Sequence, residues 1–345
     1  MRRAVLAFLS TVVVTAPATA HHSAARFILA QSVTVDGVVT RYEWANPHVY
    51  IYVTGTTAAG EAVEWEIEGQ PPAMMRRIGW SRETLAVGDA VRLTGAPARN
   101  PSSKSLLLTS MHKAEAALYD GQRFRAVISG DGRSGDAAAA PVAGGLDGVW
   151  VTLANFEVVS GFARPAARFE LTEAGAASVA AFDEATMSPA IDCIPMPAPS
   201  ATIVPDVKRI RVEAGSIRIA GEFDSGERVI HVADGGAKPN SPVPQPSLQG
   251  HSIGRWEGKT LVIETTAFAP HTFGHGLGLE SSPAKRLVER LTLDDDGTGL
   301  AYEFEVADPA VLVTPVTGKL RWVYRPDLEF TQEPCDRENA RRFLK

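Results

Sequence analysis

RLVERLTLDDDGTGLAYEFEV, residues 286–306, decides how most of this chain is read. Two runs that alternate apolar and polar residues flank the turn Asp294-Asp295-Asp296-Gly297, the pattern of a hairpin with one buried face. The same punctuation recurs on both sides. VKRIRV and SIRIAGEF meet at Glu213-Ala214-Gly215, HSIGRW and TLVIETTAF at Glu257-Gly258-Lys259, and GKLRWVYR and LEFTQ at Pro326-Asp327. Upstream, GVW (148–150) and RFELT (168–172) read as short strands, and Thr172 caps a short helix that begins at Glu173.

A succession of hairpins must close or double over to hide its edges. Residues 146–345 are therefore expected to form an antiparallel barrel of roughly eight strands, calycin-like in type. Gly148-x-Trp150 resembles the first strand of lipocalin-like barrels. A barrel of that size is filled by side chains or holds one small ligand.

The N-terminal part is also β, in a different order. SVTVDGVVTRYEW (32–44), HVYIYVTG (48–55) and AVEWEIEG (62–69) alternate as three strands. Pro71-Pro72 then opens a short helix, AMMRRIG, that stops at Gly79. DAVRLTGAPAR (89–99) and SLLLTSMHKAEAAL (105–118) are two more strands. Three strands, a helix and two strands is the order of a five-stranded OB-like barrel. The run DAAAAPVAGG (136–145) has no hydrophobic period and reads as a linker between residues 21–135 and 146–345.

The first twenty residues read as a signal peptide, with basic Arg2-Arg3, an apolar run and an Ala-Thr-Ala end. Cleavage there places the mature protein in the periplasm or outside the cell. No later apolar run approaches the ~20 residues that a spanning helix needs. The chain carries 34 basic and 40 acidic residues, a net charge of -6 that deepens when the leader is lost. No basic stripe interleaved with aromatics appears, so nucleic acid is excluded as a partner. In an oxidising compartment the two cysteines, Cys193 and Cys335, are expected to pair. By chain entropy alone, closing a loop of about 140 residues contributes roughly 4–5 kcal/mol.

Several motifs recur in a recognisable order: His21-His22-Ser23, Trp44-Ala45-Asn46-Pro47-His48, Gly79-Trp80-Ser81-Arg82-x-Thr84-Leu85 and Gly88-Asp89-x-Val91. Together they resemble a secreted bacterial family of unknown function (DUF6152), over about residues 20–130. Residues 145–340 are similar to the C-terminal half of uncharacterised secreted bacterial proteins, through the run Gly250-His251-Ser252-Ile253-Gly254-Arg255-Trp256-Glu257-Gly258. This chain has Lys238-Pro239 and Ser281-Ser282 where histidine-bearing motifs are common in those proteins. Neither resemblance implies an activity.

Three kinds of function are consistent with these residues. The first is a binding or accessory protein that holds a small apolar or aromatic ligand in the second barrel, with His251, Trp256, His271 and His275 at its mouth. The second is a copper- or zinc-binding protein. Cleavage after Ala20 would put an α-amine and an imidazole on His21, next to His22, with His48 and His112 as further nitrogen donors. The third is a barrel isomerase or hydrolase with a Glu or His base. Glu264 and Glu289 are candidate carboxylates that no motif brings together, and Gly-x-Ser-x-Gly is absent. His251 and Ser252 are adjacent on a strand and point to opposite faces, so they do not make a nucleophile and base. His271 and His275 lie in a loop with Pro270, Gly274 and Gly276, not on the helix that a zinc-protease motif requires. No protein partner is legible.

Overall fold

The computed structural model describes residues 26–56, 60–121, 142–153, 155–222, 226–232 and 245–342. The leader, His21, His22 and linker residues 136–141 lie outside the described residues.

The first barrel consists of β1 (Val33–Glu43), β2 (Tyr50–Thr56), β3 (Ala62–Glu68), α1 (Pro72–Arg77), β4 (Ala90–Pro97) and β5 (Ser105–Lys113), with β6 (Ala116–Asp120) added at the edge of β5. Strand order is β3-β2-β1-β4-β5, and parallel pairing of β3 with β5, Ile67 opposite Leu106, closes the ring as an OB barrel. Alternation puts Val35, Val39, Ile51, Val53, Ile67, Leu93 and Leu106 into one core. Pro72 sits in the first turn of α1, Met74 and Met75 are buried in the core, and Arg76 and Arg77 stand at the C-terminal end where the helix dipole favours cations. The stretch 105–118, expected as one strand, is a hairpin of β5 and β6. Its turn passes through Ala114 at φ 50°, where no Gly or Asn announces it.

The second barrel has nine strands: β7 (Gly148–Thr152), β8 (Val207–Glu213), β9 (Ser216–Gly221), β10 (Glu227–Val232), β11 (His251–Glu257), β12 (Thr260–Thr266), β13 (Arg286–Leu293), β14 (Gly299–Ala307) and β15 (Val316–Tyr324). Neighbours are antiparallel around the ring except β10 and β11, which run parallel. β15 pairs with β7, Tyr324 opposite Trp150, to close it. Between β7 and β8 lie α2 (Phe156–Ala163), α3 (Pro165–Arg168) and α4 (Glu173–Ala181). Asn155 caps α2 by accepting from the Glu157 and Val158 amides, and Thr172 caps α4 as its sequence predicts.

Two expected strands are absent. Arg168 ends α3, and Leu171 makes only an isolated bridge to Leu312. The hairpin at Pro326-Asp327 does not form because β14 and β7 already occupy the two edges of β15. Leu328 and Phe330 instead cover Val149, Val151 and Val207 on the outer wall. The end of the expected linker belongs to this barrel too: Ala143 is buried in its core and donates its amide to Gly297 O at 2.9 Å.

Cys193 and Cys335 form a disulfide. It anchors a C-terminal tail, residues 331–342, that crosses to the first barrel. Asn46 pairs with Cys335, Arg76 with Glu333, and Arg342 with Glu43, while Asn339 Nδ2 donates to His48 O at 3.0 Å. The buried pair Arg77–Glu222 joins α1 directly to the end of β9. No helix among the described residues is long and apolar enough to cross a membrane.

Candidate functional site

One end of the second barrel is stoppered. Segment 197–206, with its short helix Ser200–Ile203, brings Ala198 and Ile203 into the barrel core, and the loop 268–285 lies over it. Two buried lysines fasten these pieces. Lys208 Nζ donates to Ala201 O at 2.9 Å and Val204 O at 3.3 Å and pairs with Asp206. Lys285 Nζ donates to Ala198 O and Gly274 O, both at 2.7 Å, and lies 4.3 Å from the Phe268 ring centre. Burial pulls both ammonium groups down, Lys285 to about 7, because a charge loses its hydration there.

Below the stopper, charged groups occupy inward positions on β10 and β13. Glu289 on β13 lies between inward Leu287 and Leu291. Its carboxylate meets Arg228 Nη2 at 2.8 Å and accepts from Tyr302 OH at 2.8 Å. Burial pushes the Tyr302 hydroxyl far above its ordinary range, and the Glu289 charge adds to that. Tyr302 also stacks on Trp322 with ring centres 5.5 Å apart. Arg228 Nη1 and Trp322 Nε1 are buried with no hydrogen-bond partner among the described residues.

The loop carries a second polar group. His275 Nε2 and Asp308 Oδ2 are 2.9 Å apart, and Asp308 also accepts from Ser282 N at 2.7 Å and Ser282 Oγ at 2.6 Å. Burial works against the Asp308 charge, but the bonds from His275 and Ser282 prevail and hold its carboxyl down at about 2. Burial lowers His275 to about 4, so its neutral ring donates Nε2–H to Asp308 and leaves Nδ1 a buried acceptor without a partner among the described residues. His271 Nδ1 accepts from Phe273 N at 2.9 Å, and burial lowers this ring to about 4 as well. An oriented imidazole with a free nitrogen is a general base in form. Both rings nevertheless lie beneath the loop, which is fastened by Leu277 N to Phe162 O at 2.7 Å and by Ser178 Oγ to Gly278 O at 2.9 Å.

The histidines and tryptophan expected at one barrel mouth are therefore spread out. His271 and His275 are buried in the stopper, and half-buried His251 faces the outer wall against His231. Trp256 stands 47% exposed at the other end of β11. Ser252 faces inward, within 2.9 Å of Thr265 Oγ1, on the side of the strand opposite His251. Glu264 is on the outer wall with Arg255 and Arg286, whereas Glu289 is inside. In the first barrel, His48 Nδ1 lies 3.1 Å from Gly69 O, and exposed His112 is far along β5 from Leu107, the residue opposite Glu68. Five residues of strand put His112 and that end of the barrel roughly 16 Å apart, so His48 and His112 do not meet. Among the described residues no group of three or more His, Cys, Asp or Glu is placed to hold a metal.

Sequence reasoning missed Arg228, Lys285, Tyr302 and Asp308. The available signal was charge on an apolar face: Glu289, a candidate carboxylate in the sequence, holds the inward phase of RLVERLTL, and period alone marks it as buried.

A cleft of about 900 Å³ lies elsewhere, along the first half of β15. β15 pairs with β7 only at residues 322–324. Before that point α2 crosses in place of a strand, Asn155 Nδ2 donating to Lys319 O at 2.8 Å. Val158, Phe162, Phe169, Phe304 and Val316 supply the apolar lining, and Glu157, Arg168, Glu170, Arg290, Glu303, Glu305 and Lys319 the charges.

Residues 9–107, which include the Trp44–His48 and Gly79–Leu85 motifs, match the model of a family of unknown function (DUF6152). No curated protein matches the chain.

Proposed function

We propose that this is a secreted, periplasmic binding or accessory protein and that its ligand lies in the cleft between α2 and β13–β15, outside the packed barrel interior. The cleft carries this reading. Its size is that of a small-molecule site, and aromatic residues beside charges of both signs suit a ligand that has an apolar body and a charged group. The interior is a poorer host, since Trp150, Tyr302, Trp322 and the stopper fill it. The leader at residues 1–20 and the Cys193–Cys335 disulfide are compatible with an oxidising compartment outside the cytoplasm.

The test uses 1-anilinonaphthalene-8-sulfonate, an aromatic anion, as a fluorescent probe. Thr317 lines the cleft from the exposed face of β15, a position where Trp is compatible with a strand. The wild-type protein should enhance probe fluorescence, and Thr317→Trp should reduce that enhancement severalfold with unchanged unfolding. Equal enhancement in both proteins would rule the cleft out. Native mass spectrometry of protein from its own host would then show the bound species directly.

A further inference from the structure

We infer that His231 and His251, on the outer wall of the second barrel, form a two-imidazole site for a divalent transition-metal cation, independent of the cleft. The two side chains share a face because β10 and β11 are paired in parallel. His231 is opposite Ile253, two residues beyond His251, and a spacing of two returns a strand to the same side. Their ring centres are 5.3 Å apart with planes inclined by 29°. Two imidazoles on one tetrahedral ion, each nitrogen 2.0–2.1 Å from the metal, have ring centres about 5 Å apart. The separation is therefore already that of a shared ligand pair. Binding requires the two stacked rings to turn about their Cβ–Cγ bonds so that one nitrogen of each meets the ion.

Among the described residues neither ring takes a hydrogen bond or pairs with a carboxylate. Both rings are half-buried, so water has access to the remaining coordination positions. Nitrogen donors of this kind suit Cu²⁺, Ni²⁺ or Zn²⁺ and discriminate against Mg²⁺ and Ca²⁺. With two protein ligands the site is open, and it binds more weakly than a closed four-ligand zinc site.

The experiment is a Cu²⁺ titration of the full chain carrying His21→Ala and His22→Ala, which removes the N-terminal imidazoles as competitors. It is followed by electron paramagnetic resonance and repeated with Mg²⁺. The expected result is one Cu²⁺ per chain with hyperfine splitting from two imidazole nitrogens, and no competition from Mg²⁺. His231→Gln and His251→Gln should each weaken binding at least tenfold, with circular dichroism unchanged. Unaltered Cu²⁺ affinity in the double Gln variant, or a signal lacking two imidazole nitrogens, would overturn the assignment. If His251→Gln alone unfolds the barrel, the affinity of His231→Gln decides between the two outcomes. Probe fluorescence at the cleft should be unchanged in these variants, so the two proposals can fail separately.

Discussion

Asn46 and Cys335 pair across the two barrels as a parallel bridge. Asn46 O accepts from Asp336 N at 2.8 Å, and Asn46 Nδ2 donates to Glu333 O at 3.1 Å. The residue at the centre of the Trp44–His48 motif is thus a socket for the C-terminal tail. Asn46→Ala should leave Glu333 O without its donor and destabilise the protein by about 1–2 kcal/mol. Urea denaturation measures that loss, and the tail should become more susceptible to trypsin at Arg337 and Arg341.

The disulfide should act through the same tail. Reducing Cys193–Cys335 in the intact chain leaves the tail held only by its ion pairs and hydrogen bonds, and stability should fall by about 2–5 kcal/mol. Cleavage at Arg337 and Arg341, monitored by mass spectrometry, should accelerate on reduction. Unchanged cleavage would mean that the noncovalent contacts alone seat the tail.

Lys285→Met should destabilise the second barrel even though it removes a buried charge. The carbonyls of Ala198 and Gly274 would lose their donor, at about 1–3 kcal/mol for each buried group left unsatisfied. The wild-type lysine titrates at about 7 when folded against 10.5 ordinarily, so the unfolded chain binds the extra proton between those values. Wild-type stability should therefore rise with pH from 7 to 10.5 through this group. The Met variant should lack that component, as urea midpoints at pH 7, 8.5 and 10 would report.

Acid should act on the stopper. His271 and His275 are held near 4 when folded against 6.5 ordinarily, so the unfolded chain takes up protons first as pH falls. Stability is then lost progressively from pH 6.5 to 4, at most of order 3 kcal/mol per imidazole. Asp308, held at about 2 against 3.8, extends the loss below pH 4. His275→Gln should flatten the slope between pH 6.5 and 4, as measured by urea unfolding at half-unit steps.

Both barrels were legible because their strands alternate with period two and their turns carry Gly or Asp, as at Asp294–Gly297 and Gly258. The Ala114 turn was not, since alanine seldom adopts a left-handed conformation and nothing in the sequence marks it. Nor was the stopper. Lys208 and Lys285 are chemically suited to the surface, and only tertiary structure brings backbone carbonyls to their ammonium groups. His271 and His275 drew attention as ionisable residues in a glycine-rich loop. The same loop glycines instead let the backbone press close, as at Gly276, where a Cβ would lie 2.2 Å from Phe162 O.

The seam between β7 and β15 governs when this domain can mature. β7 is its first strand and β15 its last, so the ring stays an open sheet until nearly the whole polypeptide is available, and the loop that must close spans the domain. A ribosome-bound chain cannot complete it early.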